Sequence, residues 1–343
     1  MHRTILSPEE INSIRNLLAE VTSQYQDVED ESFLKDASFI AHELPRCIRV
    51  FLNDFKQLEM PAGACLLSAY PVDDDRIGPT PEHWKFRDGV SPTLESEMLF
   101  VLFGSLLGDA IGWATQQNGH LLHEVLPIKS DENEQISTSS KQTVWWHNED
   151  AFHPYRGDYV GLMCLRNPDN VPTTLTSLDT IRLGPHHLNT LFEPRFIIRP
   201  DESHAAKNNS QWASPDDDSE GLLRSSFEHL REMHQRPKKV AVLFGSPQSP
   251  YIRIDPYFMD PLDDEEAQSA LNSLIRAVDA KLSEIVLHPG EYLFVDNYRA
   301  VHGRRSFTAK YDGTDRWLKR LNITRDLRKS RAARLTSVSR TIF

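Results

Sequence analysis

Trp145-Trp146-His147-Asn148-Glu149-Asp150, answered far downstream by Val295-Asp296-Asn297-Tyr298-Arg299-Ala300-Val301-His302-Gly303-Arg304, decides how this 343-residue chain is understood. His147 and Glu149 sit two apart, so on an extended strand both side chains project from one face. His302 would bring a second imidazole to that face. Two imidazoles and one carboxylate on one side of a metal suit Fe(II), because three positions stay open for a bidentate cosubstrate and dioxygen. A His-x-Glu pair alone arises by chance in many chains, and the residues beyond His302 give it weight. Arg316 comes fourteen residues later, inside Arg316-Trp317-Leu318-Lys319-Arg320-Leu321-Asn322-Ile323. An arginine on a following strand is what a keto-acid cosubstrate needs, since its distal carboxylate takes a planar two-donor partner.

Around these residues the chain is a succession of short strand-like runs. They are Ala62–Val72, Leu122–Pro127, Thr143–His147, Tyr159–Leu165, Thr173–Leu178, Phe196–Arg199, Lys239–Leu243, Tyr251–Asp255, Tyr292–Val295 and Arg316–Thr324, parted by Gly, Pro and Asp turns. The pattern predicts a mainly β fold with flanking helices, a double-sheet roll of the jelly-roll, cupin-like or double-stranded β-helix kind. A pocket between the two sheets would hold the metal. Residues 1–60 predict an N-terminal helical support, opening on the capping box Ser7-Pro8-Glu9-Glu10 with Ile11, Ile14, Leu17, Leu18 and Val21 at helical spacing. Glu95 to Thr115 predicts a long apolar helix that delivers Gln116-Gln117. Residues 201–226 are polar and aperiodic and predict a mobile loop, a candidate lid. Residues 263–287 predict an acid-started amphipathic helical insertion. With no internal repeat and no long linker, one catalytic domain over 1–343 is the expected organisation.

Composition narrows the function classes. A net charge of −12 argues against a nucleic-acid partner, and the basic run Arg325 to Arg340 fits a solvated terminus. Cys47, Cys65 and Cys164 lack C-x-x-C spacing, which speaks against a thiolate zinc site and a disulfide framework and fits a reducing compartment. Cys164, in an apolar run, is expected in the core. The N-terminus carries no signal-peptide pattern, and the apolar stretch Met98–Leu107 is too short to span a bilayer. The expectation is a cytoplasmic protein with no membrane partner; a homo-oligomer is compatible with it.

On Gln116, His147-x-Glu149, Thr173-Thr174, His302-Gly303-Arg304 and Arg316 with Arg320, the chain resembles the Fe(II)/2-oxoglutarate dioxygenases of the clavaminate-synthase-like group, in the branch that hydroxylates free amino acids. The resemblance runs from about residue 100 to residue 325, and Glu149 in the triad, 152 residues before His302, is similar to this branch, whereas most of the superfamily carries Asp. It implies Fe(II), 2-oxoglutarate and O2, with His147, Glu149 and His302 as metal ligands. It places Arg316 on the C5 carboxylate of 2-oxoglutarate with a threonine hydroxyl from Thr173, Thr174 or Thr176, of which Thr174 is preferred. Arg320 would hold the α-carboxylate of a free L-amino acid and Gln116 its head, and the second oxygen of Glu149 would meet its ammonium. His153 competes as a ligand but falls beyond the strand, before Pro154, where exposure is expected. Arg304 is either a supporting group or a surface charge. Zinc hydrolase chemistry is disfavoured, as there is no His-Glu-x-x-His helix.

The substrate's side chain is read from Tyr251-Ile252-Arg253-Ile254-Asp255-Pro256. Relatives that hydroxylate arginine hold its guanidinium there with an acidic pair. Here Arg253 takes one of the two positions and leaves Asp255, unless Asp255 merely caps the turn before Pro256. A single carboxylate suits a compact ammonium better than a five-donor guanidinium, so lysine, hydroxylated at C3 or C4, is the expected substrate. Arginine and asparagine come next, with Asp216, Asp217 and Asp218 as further acidic candidates. From another class, a non-catalytic small-ligand binding protein on the same fold is the alternative; succinate formation would separate the two.

Overall fold

Alternate residues along the central strands point into two different cores, as the pleat of a strand buried on both faces demands. In the computed structural model, which describes residues 1–86, 89–205 and 217–343, β6 (Tyr159–Arg166) and β13 (Trp317–Thr324) lie at the centre of an eight-stranded sheet. Met163, Leu165, Trp317, Leu321 and Ile323 face a layer of helices, whereas Leu162, Cys164 and Leu318 face a second sheet. The large sheet has the order β1 (His2–Ile5), β2 (Ala64–Ser68), β11 (Tyr292–Asp296), β6, β13, β3 (Asp109–Trp113), β14 (Thr341–Ile342), with β4 (Leu122–Val125) also on β13. The facing sheet runs β10 (Ser283–Val286), β7 (Pro172–Ser177), β12 (Ala300–Arg304), β5 (Val144–His147). A hairpin, β8 (Leu243–Ser246) and β9 (Ser249–Ile252), stands apart.

α5 (Leu94–Leu107) is apolar almost all round and buried, so it must be covered on every side. The large sheet covers one side; α1 (Pro8–Gln24), α2 (Glu31–Ile40) and α3 (Arg46–Leu58) cover the others. The α1 start is fixed as the sequence predicts: the Ser7 amide donates to Glu10 Oε2 at 2.7 Å and the Glu10 amide to Ser7 Oγ at 3.3 Å. The short α4 (Asp74–Ile77) comes after β2. On the far side, α6 (Pro185–Leu191) and α8 (Glu265–Asp279) share a core with Trp146 and Val301 of the smaller sheet, and α7 (Asp217–Gln235) packs Leu230 and Met233 near Ile198.

Several sequence expectations are corrected. The helix expected over Glu95–Thr115 stops at Leu107, and Asp109–Trp113 is a strand. Gly108 caps the helix C-terminus, and it passes so close to β13 that a Cβ there would lie 2.2 Å from the Thr324 carbonyl oxygen, so only glycine fits. The N-terminal helical support begins with a strand, β1, parallel to β2. The insertion over 263–287 is helical only in α8; Ser283–Val286 form an edge strand on β7. The expected loop over 201–226 divides into a helical turn at Glu202–His204, residues 206–216 outside the described residues, and the start of α7. Asp216 therefore lies outside the described residues, and Asp217 and Asp218 belong to α7. Among the described residues, no helix is long and apolar enough to cross a membrane.

His302-Gly303-Arg304 is strand rather than turn. His302 pairs with His147 and Arg304 with Val144, so β5 carries one residue more than β12 between these points, a bulge. Gly303 fits under it because it has no side chain: a Cβ would lie 2.6 Å from the Val144 oxygen and 2.9 Å from the Trp146 nitrogen. Gly303→Ala should push β5 off β12, lowering stability by about 1–3 kcal/mol, the scale of overpacking. Thermal melts and metal titration of the variant measure this; a wild-type melting temperature with wild-type metal affinity would contradict the close packing.

Candidate active site

Cross-strand partners point to one face of a sheet, and this pairing brings the two histidines together. The His147 and His302 rings are 4.9 Å apart between centroids. The His147 Nδ1 hydrogen bonds the Trp145 carbonyl at 2.7 Å, which leaves Nε2 free to ligate and aimed inward, the tautomer a metal requires. Glu149 is two residues further on. Its Oε2 lies 3.7 Å from His147 Nε2 and 3.4 Å from His302 Nε2. Ligand atoms of the three residues all fall within 4.8 Å of one another.

A pair of buried asparagines holds this turn. Asn148 Nδ2 donates to the carbonyls of Asn297 (2.9 Å) and Ala300 (3.0 Å), and its Oδ1 accepts from the Ile254 amide at 2.9 Å. In return, Asn297 Oδ1 accepts from the Glu149 amide at 2.8 Å, while its Nδ2 donates to the carbonyls of Glu149 (3.0 Å) and Gly157 (2.9 Å). The remaining oxygen of Glu149, Oε1, is ion-paired with Arg320. Burial would raise the Glu149 carboxyl, but the Arg320 charge and the histidine hydrogen bonds hold it well below its ordinary value. Burial likewise opposes charge on His147, yet the Glu149 hydrogen bond and the Asp255 and Glu149 charges hold its pKa up at about 9. The carboxylates thus favour positive charge at this point of the cavity. His302 Nδ1 is buried with no hydrogen-bond partner among the described residues. Two imidazoles and one carboxylate converging from one side fit a divalent iron better than a closed tetrahedral zinc.

Arg316 lines the cavity and is buried, and among the described residues its Nε has no hydrogen-bond partner. Burial lowers its pKa to about 10, offset a little by Cys164. A desolvated guanidinium facing a cavity is a receptor for a carboxylate. The threonine on this face is Thr173, correcting Thr174. Register pairs Thr173 with Arg304 and Thr174 with Gly303, so Thr173 shares the face of His302 and Arg304 and lines the cavity. Thr174 points the other way, its Oγ1 3.0 Å from where a Gly303 Cβ would sit, and Thr176 falls on its side. Arg304 is no surface charge: it is buried, donates to Ser139 Oγ at 2.7 Å and the Arg305 carbonyl at 3.0 Å, and lies over the Phe307 ring.

Beyond the triad, Arg320 Nη2 donates to Gln116 Oε1 at 3.2 Å and to His123 Nδ1 at 2.6 Å, so the predicted Gln116 and Arg320 meet. Gln116 Nε2 in turn donates to Asp150 Oδ1 at 3.3 Å and contacts Ser203 Oγ. Asp255 lines the cavity and also accepts from the Tyr257 (3.2 Å) and Phe258 (3.4 Å) amides, so it both caps a turn and faces the site. Burial raises its carboxyl to about 6. Arg253 turns away to the carbonyls of Ala151 and Phe152. His153, expected to be exposed, is buried against Trp113 and stands outside the metal cluster.

Sequence reasoning missed Asn148, Asn297, Asp150, Asp201 and Ser203. The Asn residues were readable, since each adjoins a proposed ligand or turn. Asp201 and Ser203 line the cavity from a segment whose composition gave no signal beyond polarity.

Over residues 214–322 the chain matches the Taurine catabolism dioxygenase TauD, TfdA family. It is 44% identical over 346 aligned positions to the L-ornithine/L-arginine 3-hydroxylase of Catenulispora acidiphila, covering 100% of each chain. To the L-lysine 3-hydroxylase of the same organism it is 30% identical over 307 positions, 88% of this chain and 78% of that one. The crystal structure of the non-heme iron oxygenase OrfP in complex with Fe, succinate and (3S)-hydroxy-L-Arg superposes with a TM-score of 0.93 at 42% identity, over 100% of each chain.

His147→Ala should leave a soluble, folded protein that binds Fe(II) at least about tenfold more weakly, because even outer-shell changes at metal sites cost that much. Anaerobic titration with Fe(II), set beside a thermal melt, measures it. Wild-type affinity in the variant would remove His147 from the ligand set.

Proposed function

The chain belongs to the TauD/TfdA family of Fe(II)/2-oxoglutarate-dependent oxygenases, among the hydroxylases of free basic amino acids, and from that premise we propose that it hydroxylates L-arginine at C3. In this reading the two facing sheets are the double-stranded β-helix, and the chain acts as one catalytic unit. His147, Glu149 and His302 hold the iron. Arg316, with Thr173 beside it, takes the C5 carboxylate of 2-oxoglutarate. Bound iron and 2-oxoglutarate supply the dioxygen-driven replacement of a C–H by a C–OH, with succinate and carbon dioxide released. The protein's own residues select and orient the amino acid: Arg320 pairs with its α-carboxylate, and Gln116 and the outer oxygen of Glu149 face its ammonium.

Asp201 is the observation that carries the choice of substrate. A lone Asp255 pointed to lysine; the cavity is lined by a second carboxylate, Asp201, whose charge is felt at Asp255. Two carboxylates match the forked, five-donor guanidinium better than a compact ammonium. The relatives favour the same correction, with 44% identity to the L-ornithine/L-arginine 3-hydroxylase against 30% to the L-lysine 3-hydroxylase. A non-catalytic binding role is set aside by that whole-length similarity to enzymes.

The purified protein, given Fe(II), 2-oxoglutarate and in turn arginine, ornithine, lysine, asparagine and norleucine, should release succinate and an oxygenated product fastest with arginine. Greater kcat/KM for lysine would return the assignment to lysine. Asp201→Asn should raise the KM for arginine by about tenfold or more, the scale of losing one charge-assisted hydrogen bond, with little change for norleucine. Arg316→Ala should raise the KM for 2-oxoglutarate by a similar factor of about ten while affecting that for the amino acid less. If the amino-acid KM alone moves, the roles of Arg316 and Arg320 are exchanged.

A further inference from the structure

The short segment Pro200–Ala205 brings Asp201 and Ser203 to the cavity, but the residue that ties it down points elsewhere. His204 is 3% exposed and is not among the residues lining the catalytic cavity. Its ring lies between Phe152 (5.0 Å) and Trp113 (6.0 Å). Both ring nitrogens are engaged: Nδ1 lies 2.7 Å from Thr115 Oγ1 and Nε2 3.0 Å from Asp150 Oδ1. With Asp150 as acceptor, Nε2 carries the proton and Nδ1 accepts from the threonine hydroxyl.

Asp150 is an unusual anchor point. It sits directly after Glu149 in the left-handed region, φ 49°, a conformation that non-glycine residues adopt only when their surroundings hold them there. Besides His204 and Gln116, its carboxylate accepts from Trp113 Nε1 at 2.6 Å and Asn322 Nδ2 at 3.3 Å. One buried carboxylate therefore joins the metal-ligand turn, β3, β13, the residue assigned to the substrate's head and the segment carrying Asp201. We propose that His204 is a positioning residue, whose bond to Asp150 registers Asp201 and Ser203 against the two ends of the bound amino acid. The inference rests on the hydroxylase reading and adds a device that sets its selectivity and the fidelity with which cosubstrate turnover leads to hydroxylation. Loosened, the segment would still admit 2-oxoglutarate at Arg316 but would hold the amino acid poorly. Turnover would then release succinate and carbon dioxide without a matching product, the second oxygen atom leaving as water with two electrons and two protons from an added reductant such as ascorbate.

The test compares full-length wild type, His204→Ala and His204→Gln. Hydrogen exchange should quicken in residues 200–205 of the alanine variant and stay unchanged in β5 and β13. With the amino acid that wild type uses best, the alanine variant should show a KM about tenfold higher, as expected for a lost bond to a charged partner, and clearly less product per succinate. Its KM for 2-oxoglutarate should stay within about twofold, since no contact to Arg316 is lost. The glutamine amide offers both a donor and an acceptor, so His204→Gln should keep product and succinate nearly matched. Unchanged exchange at 200–205, or faster exchange with unchanged KM and product ratio, overturns the proposal. Equal weakening of both substrates, alongside a collapsed melting temperature, also overturns it, by showing a purely structural role. Should wild type oxygenate no amino acid in the panel, the substrate reading fails, and the exchange experiment alone still decides whether His204 anchors the segment.

Discussion

Glu149 is a carboxylate cut off from water, and the structure around the site is shaped by keeping it ionised. A buried charge is tolerated only with close partners. Arg320 satisfies one oxygen from β13; His147 and His302 approach the other from β5 and β12. Asn297, just past β11, fixes the backbone of the same residue through both its amide and its carbonyl. These partners come from both sheets, so the carboxylate is satisfied only when the sheets are closed over each other. The bulge in β5, the glycine at position 303 and the side-chain bonds of Asn148 and Asn297 serve that closure.

Charges of both signs line the cavity. Two buried guanidiniums, Arg304 and Arg316, line it together with the triad, Asp201 and Asp255, while Arg320 is held beside Glu149 and Gln116. Carboxylate and cationic groups of a ligand would meet complementary charges at different points of such a lining. Burial of most of these side chains strengthens such interactions, because buried charges are screened less than exposed ones. Orientation of the target carbon then depends on how firmly the head and tail contacts are held relative to each other.

Expectations failed where two distant segments touch. Gly108 is a local stop that the apolar run beyond it masks, and its close approach to the Thr324 carbonyl, more than two hundred residues away, is visible only in the fold. Along the sequence Thr174 is as good a choice as Thr173, because strand alternation gives a relative face, and only the pairing of β7 with β12 tells which face meets the cavity. The local motif holds one carboxylate, Asp255, whereas a second, Asp201, reaches the same cavity from a separate segment. The expected surface position of His153 gives way to burial against Trp113, a residue of the strand where the apolar pattern predicts helix.

By itself the sequence determined the chemistry: His147-x-Glu149, His302, Arg316 and Arg320 have residue types and spacings that a strand turns into a one-sided metal site with a cation behind it. It also determined the mainly β class and the start of α1, since pleat alternation and helix capping are local properties. Tertiary structure alone decided which threonine faces the cavity, which carboxylates line it together, and how Asp150 links His204 to the turn after Glu149. Those depend on register and on contacts across tens to hundreds of residues, where a one-residue shift reverses every face and where the partner of a buried charge can lie anywhere in the chain.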